Sequence, residues 1–495
     1  MTAVAVAQGE KAPRSGHKLR ALRHPASEFG VGPLAVTAWH PRLLVLAGAC
    51  ENVSLGGVCV RLHGAAERLD LVGVDDRFSG VHITLQSGEV IGHCDAIVRH
   101  CRSDGGDLLV GLQLEGGVID LPLLYEKQTR SRFAARCDEA EATADSAKIR
   151  PEFKAWVLDL RNYLERMRTF LDREEGALQT EDQFTYEQIC AQYLAEVGPR
   201  IVERVHAASH SMAQVVGSLR EDEHIAHRAY AQLHLGSIFL SAPFIRRAHQ
   251  KPLGYAGDYE MMNMLYRPSW EGSSLFAKVI NQCAASEVAA RANINRISYL
   301  AEKLRGPLVR ARDAGGPRVR VASIGAGPGR EIEVLLESDP SLGPYLDVML
   351  LDQEPRAIAY GERRLAPIVA RTGVKLCFVR ESMRRLLCGG QVAQMIGERQ
   401  IIYSAGLFDY LSDRSFAALL GTLYEALARG GQLLIGNVDV SNPTRYFMEY
   451  FAEWFLIHRS RTQLLDKARL LRPPPQTVRV ESEPLGVNLF LVIEK

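Results

Sequence analysis

Several things are scarce in this 495-residue chain, and each scarcity narrows the field. No uninterrupted apolar run approaches the ~18–20 residues of a membrane-spanning helix. The first 23 residues, Met1 to Arg23, are basic and lack the apolar stretch of a secretory signal. Nine cysteines are scattered without one C-x-x-C pair. An odd count without metal-ligand spacing points to reduced thiols and a cytoplasmic location, not to a disulfide framework. The pairs His206/His210 and His224/His227 have helical ligand spacing, but no cysteine or carboxylate pair joins them, so no metal site is expected. Charge of one sign is missing too. Lys+Arg 59 against Asp+Glu 58 leaves no field to attract nucleic acid or an anionic membrane. Internal repeats are absent.

What is present is globular material, 47% apolar and 24% charged, long enough for two to four domains. Residues 1–32 read as a mobile arm. Over 33–126 the pattern is one of short alternating runs: Leu43 to Ala47, Val58 to Leu62, Val81 to Leu85, Ala96 to His100 and Leu108 to Leu114. Turn clusters separate them, as in a small antiparallel barrel or sandwich. Residues 127–150 are charged and alanine-rich, a linker or a solvated helix. Over 151–312 the period turns helical, with Phe153, Trp156, Val157, Leu160, Tyr163, Leu164 and Met167 on one stripe. Further helices are expected at Tyr186 to His206, Asp222 to Leu240 and Ser274 to Leu304, forming a docking bundle or a lid. From 313 to 495 strands and helices alternate, as in a doubly wound α/β domain. A helical insertion is expected at Thr444 to Arg461, and a closing hairpin at Val478 to Glu481 and Asn488 to Glu494.

The most informative stretch is Val319-Arg-Val-Ala-Ser-Ile-Gly-Ala-Gly-Pro-Gly-Arg-Glu331. A β-branched strand runs into Gly325, Gly327 and Gly329 and then into a helix, which presents backbone and a positive helix end to a ligand. Twenty-three residues after Gly329, the next strand ends in Asp352, placed to take both hydroxyls of a ribose. Arg330 occupies the position where a dinucleotide fingerprint needs glycine or alanine, which disfavours a nicotinamide oxidoreductase. The spacing G-x-G-x-G is instead similar to that of class I methyltransferases binding S-adenosylmethionine.

Two further sets of motifs carry resemblances. Asn52-Val-Ser-Leu-Gly-Gly57, before the strand Val58-Cys-Val-Arg, resembles the (D/N)-x-S-x-x-G motif of PilZ domains. That resemblance implies a cyclic di-GMP site at Asn52, Ser54 and Gly57. Its arginine half falls on Arg20 and Arg23, three apart where the motif has four. As plain chemistry, the same residues make an ordinary β-turn whose Asx and Ser side chains bond the backbone. Gly254-Tyr-Ala-Gly-Asp258, Ser404-Ala-Gly-Leu-Phe-Asp-Tyr-Leu411, and Gly436-Asn437 with Asn442-Pro-Thr-Arg-Tyr-Phe-Met-Glu-Tyr450 together resemble one bacterial family. These are the class I methyltransferases of 3-hydroxypalmitic acid methyl ester (extracellular factor) biosynthesis. The resemblance covers about residues 150 to 495. It implies methyl transfer from S-adenosylmethionine to a fatty-acid carboxyl group, with the barrel as an appended regulatory module.

On that basis Gly406, Asp409 and Tyr410 border donor and acceptor, and Glu381 and Ser382, at the third strand's end, join the cofactor site. A fatty carboxylate is ionised at neutral pH, so attack needs no general base, only in-line alignment away from water. Tyr255, Tyr410, Arg445, Tyr446 and Arg459 are the groups available to hold it, with Arg459 more at home on a helix surface. Asp258 either lines the pocket or caps the helix after it, and Asp409 likewise either borders the site or caps a helix. Phe447, Phe451, Trp454 and Phe455 are an acyl tunnel or plain core. Against the enzyme stands a second reading, a non-catalytic cyclic di-GMP receptor whose methyltransferase fold contacts a protein partner. A homo-oligomer is compatible with both.

Overall fold

The computed structural model describes residues 24–25 and 34–495, apart from 43, 55, 64, 66–70, 86–87, 105, 125, 128, 131–132, 134–136, 138–147, 179–181, 268–269 and 388–390. Arg20 and Arg23 lie outside the described residues, as does much of the expected linker. The chain divides into two compact units, Met1–Ala144 and Asp145–Lys495. The helical segment and the α/β segment thus share one unit.

The first unit is a closed barrel. Strands β2 (Ala35–His40), β3 (Leu44–Ser54), β4 (Gly57–Leu62), β5 (Arg77–Thr84), β6 (Val90–Asp104) and β7 (Asp107–Glu115) run in the order β3-β2-β5-β6-β7-β4. Pairing of β3 with β4 closes the ring, which leaves no free edge among these six. A two-residue strand, β1 (His24–Pro25), pairs with β3 from outside. Burial in β2 alternates strictly, and Val36, Phe78, Val81, Val98 and Val110 fill the interior. The Asn52–Gly57 stretch is the β3–β4 hairpin. There the Ser54 hydroxyl donates to the Gly57 carbonyl at 3.3 Å, and a Cβ on Gly57 would stand 2.9 Å from the Leu112 carbonyl.

In the second unit the stripe around Phe153 belongs to the helix Pro151–Ala177. The run expected as one helix from Tyr186 to His206 is two, Gln183–Glu196 and Gly198–Val216, because Pro199 cannot continue the first but starts the second well. Likewise Ser274 to Leu304 splits into Leu275–Ala285 and Val288–Asp313 around Ser286 and Glu287.

The sheet is seven-stranded: β8 (Val319–Ile324), β9 (Leu346–Asp352), β10 (Lys375–Arg380), β11 (Arg399–Ser404), β12 (Leu427–Val438), β13 (Thr477–Ser482) and β14 (Asn488–Glu494). Their order is β10-β9-β8-β11-β12-β14-β13; the first five are parallel, and β14 is antiparallel to both its neighbours. The chain reverses its winding between β8 and β11, and the crevice at their carboxyl ends is where such sheets bind ligands.

The insertion after β12 is only partly helical. Arg445–Phe451 is a helix, Glu453 takes a left-handed φ of 47°, and the chain then runs extended to Ser460. Extension is stabilised because the Ile457 and Arg459 N–H groups donate to the Asp409 and Val438 carbonyls at 2.7 and 3.0 Å. Arg459 is therefore a core residue and not a helix-surface one. It is 2% exposed, and its guanidinium donates to the Phe408 and Leu411 carbonyls, Asn437 and Asp413.

Candidate functional site

A cavity of about 510 Å³ opens at the β8/β11 crevice. Its floor is the glycine turn after β8, where Gly325, Gly327 and Gly329 have φ of 67°, 55° and 65°, a region that costs a residue with a Cβ about 1–2 kcal/mol. The N–H groups of this turn are spent inside the protein. Those of Gly325 and Ala326 both reach the Leu351 carbonyl at 2.9 and 3.0 Å, and that of Gly329 reaches the Ala326 carbonyl at 3.2 Å. The Gly327 N–H donates to Asp352 Oδ2 at 2.8 Å, while the Glu354 N–H holds Oδ1 at 2.9 Å. Asp352 ends β9 in the cavity wall, 9% exposed, with its pKa pushed upward by burial against the pull of these N–H donors.

Two acids stand near it. Glu331, in the first turn of the helix Arg330–Ser338, lines the cavity at 4% exposure and accepts the Tyr403 hydroxyl at 2.6 Å. Burial raises its pKa. Glu381 follows β10 and lines the cavity with Leu386 and Leu387. Of the cations in the wall, Arg330 is paired with Glu333, whereas Arg296 has no ion pair among the described residues.

The helical segment supplies the opposite wall. Lys251 ends the helix Pro243–Gln250 in a left-handed conformation, and the following turn puts Gly254, Tyr255 and Gly257 into the lining. Burial, then the nearby Asp352, raises the Tyr255 pKa, so the phenol stays protonated. Asp258 does not join them. Fully buried, it caps the helix Tyr259–Tyr266 through the Glu260 and Met261 N–H groups, and it is clamped by Arg247 at 3.0 and 2.8 Å. The cap and the Arg247 clamp account for its burial, and it is absent from the cavity lining.

After β11, Gly406 and Tyr410 line the cavity. Tyr410 is 37% exposed, and its hydroxyl accepts the Trp454 indole N–H at 2.9 Å. A Cβ on Gly257 would fall 2.4 Å from that hydroxyl, which fixes glycine there. Asp409 lies behind, in a void of about 30 Å³ that shares Gly257, Met262, Arg296, Gly406 and Tyr410 with the main cavity. It is 3% exposed, accepts the Val438 N–H at 2.7 Å, and is raised to about 6 by burial.

Of the expected site residues, Gly329, Ser382, Arg445 and Tyr446 are absent from the lining of the main cavity, as are Asp258 and Asp409. Ser382 is exposed and accepts the Arg385 N–H at 3.3 Å. Arg445 pairs with Glu449 at 2.7 Å, and Tyr446 stacks on His224. Conversely, the chain position of Arg296 and Glu331 gave no motif to find them by; Glu331 was legible only as a helix-start acid.

No family model matches this sequence, and no curated protein matches it. Among solved structures, a possible exported protein from Bordetella parapertussis aligns at 15% identity over 60% of this chain and 96% of its own, with TM-score 0.39. The citrinin polyketide synthase CMeT domain aligns at 14% identity, over 62% and 69%, with TM-score 0.37. Magnesium protoporphyrin IX methyltransferase from Synechocystis PCC 6803, with bound SAM, aligns at 10% identity, over 42% and 84%, with TM-score 0.30. These likenesses are remote, each with a TM-score below 0.5.

Proposed function

We propose that Asp145–Lys495 is an S-adenosylmethionine-dependent methyltransferase whose acceptor is the carboxylate of a fatty acid, such as a 3-hydroxy acid. The observation that carries this reading is the charge and donor pattern around Gly325 to Gly329. A pyrophosphate needs free N–H donors, and this turn has spent those of Gly325, Ala326, Gly327 and Gly329. Instead the wall offers Asp352, Glu331 and Glu381, acceptors suited to ribose hydroxyls and to a cationic ligand. The antiparallel β14 between β12 and β13 agrees with the terminal hairpin of class I methyltransferases.

In this reading Asp352 takes the ribose, Glu381, Leu386 and Leu387 border the base, and Glu331 faces the amino-acid end. The cofactor, when bound, would supply a sulfonium methyl for transfer to a carboxylate oxygen, the C–S electron pair staying on sulfur, so that this chain would need no general base. Tyr255, Tyr410 and Gly406 exclude water and border the acceptor. Behind them, the void holding Asp409 adjoins another of about 30 Å³ lined by Phe244, Ile245, Phe447 and Ala452. Each admits no more than a water, so an acyl chain entering here displaces Trp454.

The test is calorimetry of the full chain with S-adenosylmethionine, followed by labelled-methyl transfer to a lipid extract with mass spectrometry of the product. Absence of cofactor binding refutes the enzyme. The barrel is proposed as a regulatory module. With the Ser54 hydroxyl turned to the Gly57 carbonyl, cyclic di-GMP is expected to bind weakly or not at all, and submicromolar binding to the full chain would overturn that expectation.

A further inference from the structure

The buried Arg459 and the half-buried Arg247 of the second unit have partners in contact. Arg459 has four acceptors, and Arg247 has both oxygens of Asp258. Arg296 differs. It is 9% exposed, its Nε–H is buried without an acceptor, and its one side-chain hydrogen bond among the described residues runs from Nη2 to Met262 Sδ at 3.2 Å. A thioether is a poor acceptor, and a buried guanidinium without a bonded counter-charge is costly.

The surroundings of Arg296 show what it is kept for. A Cβ on Gly406 would stand 2.8 Å from Nη1, so the bare glycine lets the guanidinium lie against the tip of β11. It sits where the main cavity meets the inner void, in the walls of both. The acids that feel its charge have hydrogen bonds of their own: Glu331 accepts the Tyr403 hydroxyl and Asp409 accepts the Val438 N–H. Their charges offset that of Arg296 at a distance without occupying its donors.

We propose that Arg296 is a carboxylate-binding group of the cleft, its planar fork completed by an anion that enters with a ligand. The inference rests on the methyltransferase reading, which brings two such anions: the amino-acid carboxylate of the cofactor and that of the fatty acceptor. Neither needs Arg296 to take part in bond making; it positions.

The experiment compares Arg296→Met and Arg296→Lys with the unaltered full chain by calorimetry. One ligand pair is S-adenosylhomocysteine and its decarboxylated form, which keeps the ammonium. The other, on protein loaded with S-adenosylhomocysteine, is dodecanoate and dodecanol. The Met variant is expected to lose about 10- to 100-fold on the carboxylate-bearing member of one pair and nothing on its partner, with part recovered by Lys. Loss confined to S-adenosylhomocysteine assigns the cofactor's carboxylate; loss confined to dodecanoate assigns the acceptor's. Equal loss on both members of a pair indicates packing alone and overturns the proposal, as does no loss on either pair. Failure of the unaltered chain to bind S-adenosylhomocysteine in any form refutes the methyltransferase reading itself, and the proposal with it.

Discussion

Replacing Asp352 by asparagine tests the ribose assignment with the least change in shape. Asp352 receives two backbone N–H groups, from Gly327 at 2.8 Å and from Glu354 at 2.9 Å. An asparagine offers one oxygen, so its amide must face one of those N–H groups donor to donor. One charge-assisted bond is lost and a buried N–H is left bare, which costs the fold about 2–4 kcal/mol. A ligand ribose loses a comparable amount, since an amide serves only one hydroxyl as acceptor. The expected fall in S-adenosylhomocysteine affinity is about 30- to 1,000-fold. Thermal melts identify a temperature at which the variant stays folded, and calorimetry is done there. The 2′-deoxyribose analogue separates loop damage from lost recognition. The unaltered protein should discriminate against it, and Asp352→Asn should not. A folded variant within threefold of the unaltered affinity, still preferring the ribose form, refutes the reasoning.

The glycine turn allows a paired test. Gly329→Ala meets Leu350 Cδ1 at 2.9 Å as well as left-handed strain, whereas a Cβ on Gly327 meets nothing within 4 Å and pays the strain alone. Melts should therefore show Gly329→Ala less stable than Gly327→Ala by about 1–2 kcal/mol, and equal stabilities would count against the packing argument. His458 has its pKa lowered to about 4 by burial, then by Arg445. Its contribution is present in full above the unfolded value near 6.5 and is lost as pH falls toward 4, up to about 3 kcal/mol. Asp409, raised to about 6, has the opposite sign, since its ionisation weakens the fold as pH rises from about 4 to 6. The stability difference between the unaltered chain and His458→Gln isolates the histidine; a difference that stays flat from pH 7 to 4 contradicts the assignment. Finally, residues 313–495 expressed alone should fail to give a cooperative melt, and a sharp transition with intact cofactor affinity would show that the helical segment is dispensable.

What the sequence made legible was local. The strands β8, β9 and β11 end at Ile324, Asp352 and Ser404, and their bounds can be read within a residue or so because most of their residues are buried and apolar, with Arg320, Asp347, Arg399 and Gln400 confined to their first two positions. The β2 strand escaped notice although its burial alternates, because Ala, Thr and His weaken the apolar contrast. At Thr444 to Arg461 the aromatic residues suggested continuous helix, and periodicity carries no sign of the N–H groups of Ile457 and Arg459 being claimed by the neighbouring loop and strand. The Gly254–Asp258 turn was both things at once. Its acid is a cap and its tyrosine faces the cavity, since an Asx cap points one side chain back along the helix while the turn before it faces elsewhere.

The contribution of the helical segment to the cleft follows from one helix. In Val288–Asp313, Ala289, Ala290 and Ala292 pack in the core that joins the helical segment to Phe447, Tyr450, Phe451 and Trp454. Leu300, Ala301, Leu304 and Leu308 pack instead against β8, β9 and the helix Arg330–Ser338. Arg296 lies between these two stretches, at the point where the helix leaves one core and enters the other. Polar links hold both ends: Tyr299 and Lys303 meet Glu481 on β13, and the Ala289 N–H reaches Thr444 at 3.3 Å. A lid that swings freely would have to break these and expose apolar surface in two cores, each worth roughly 25 cal/mol per Å². Access to the cleft must therefore come from smaller movements within the wall than the swing of a whole segment.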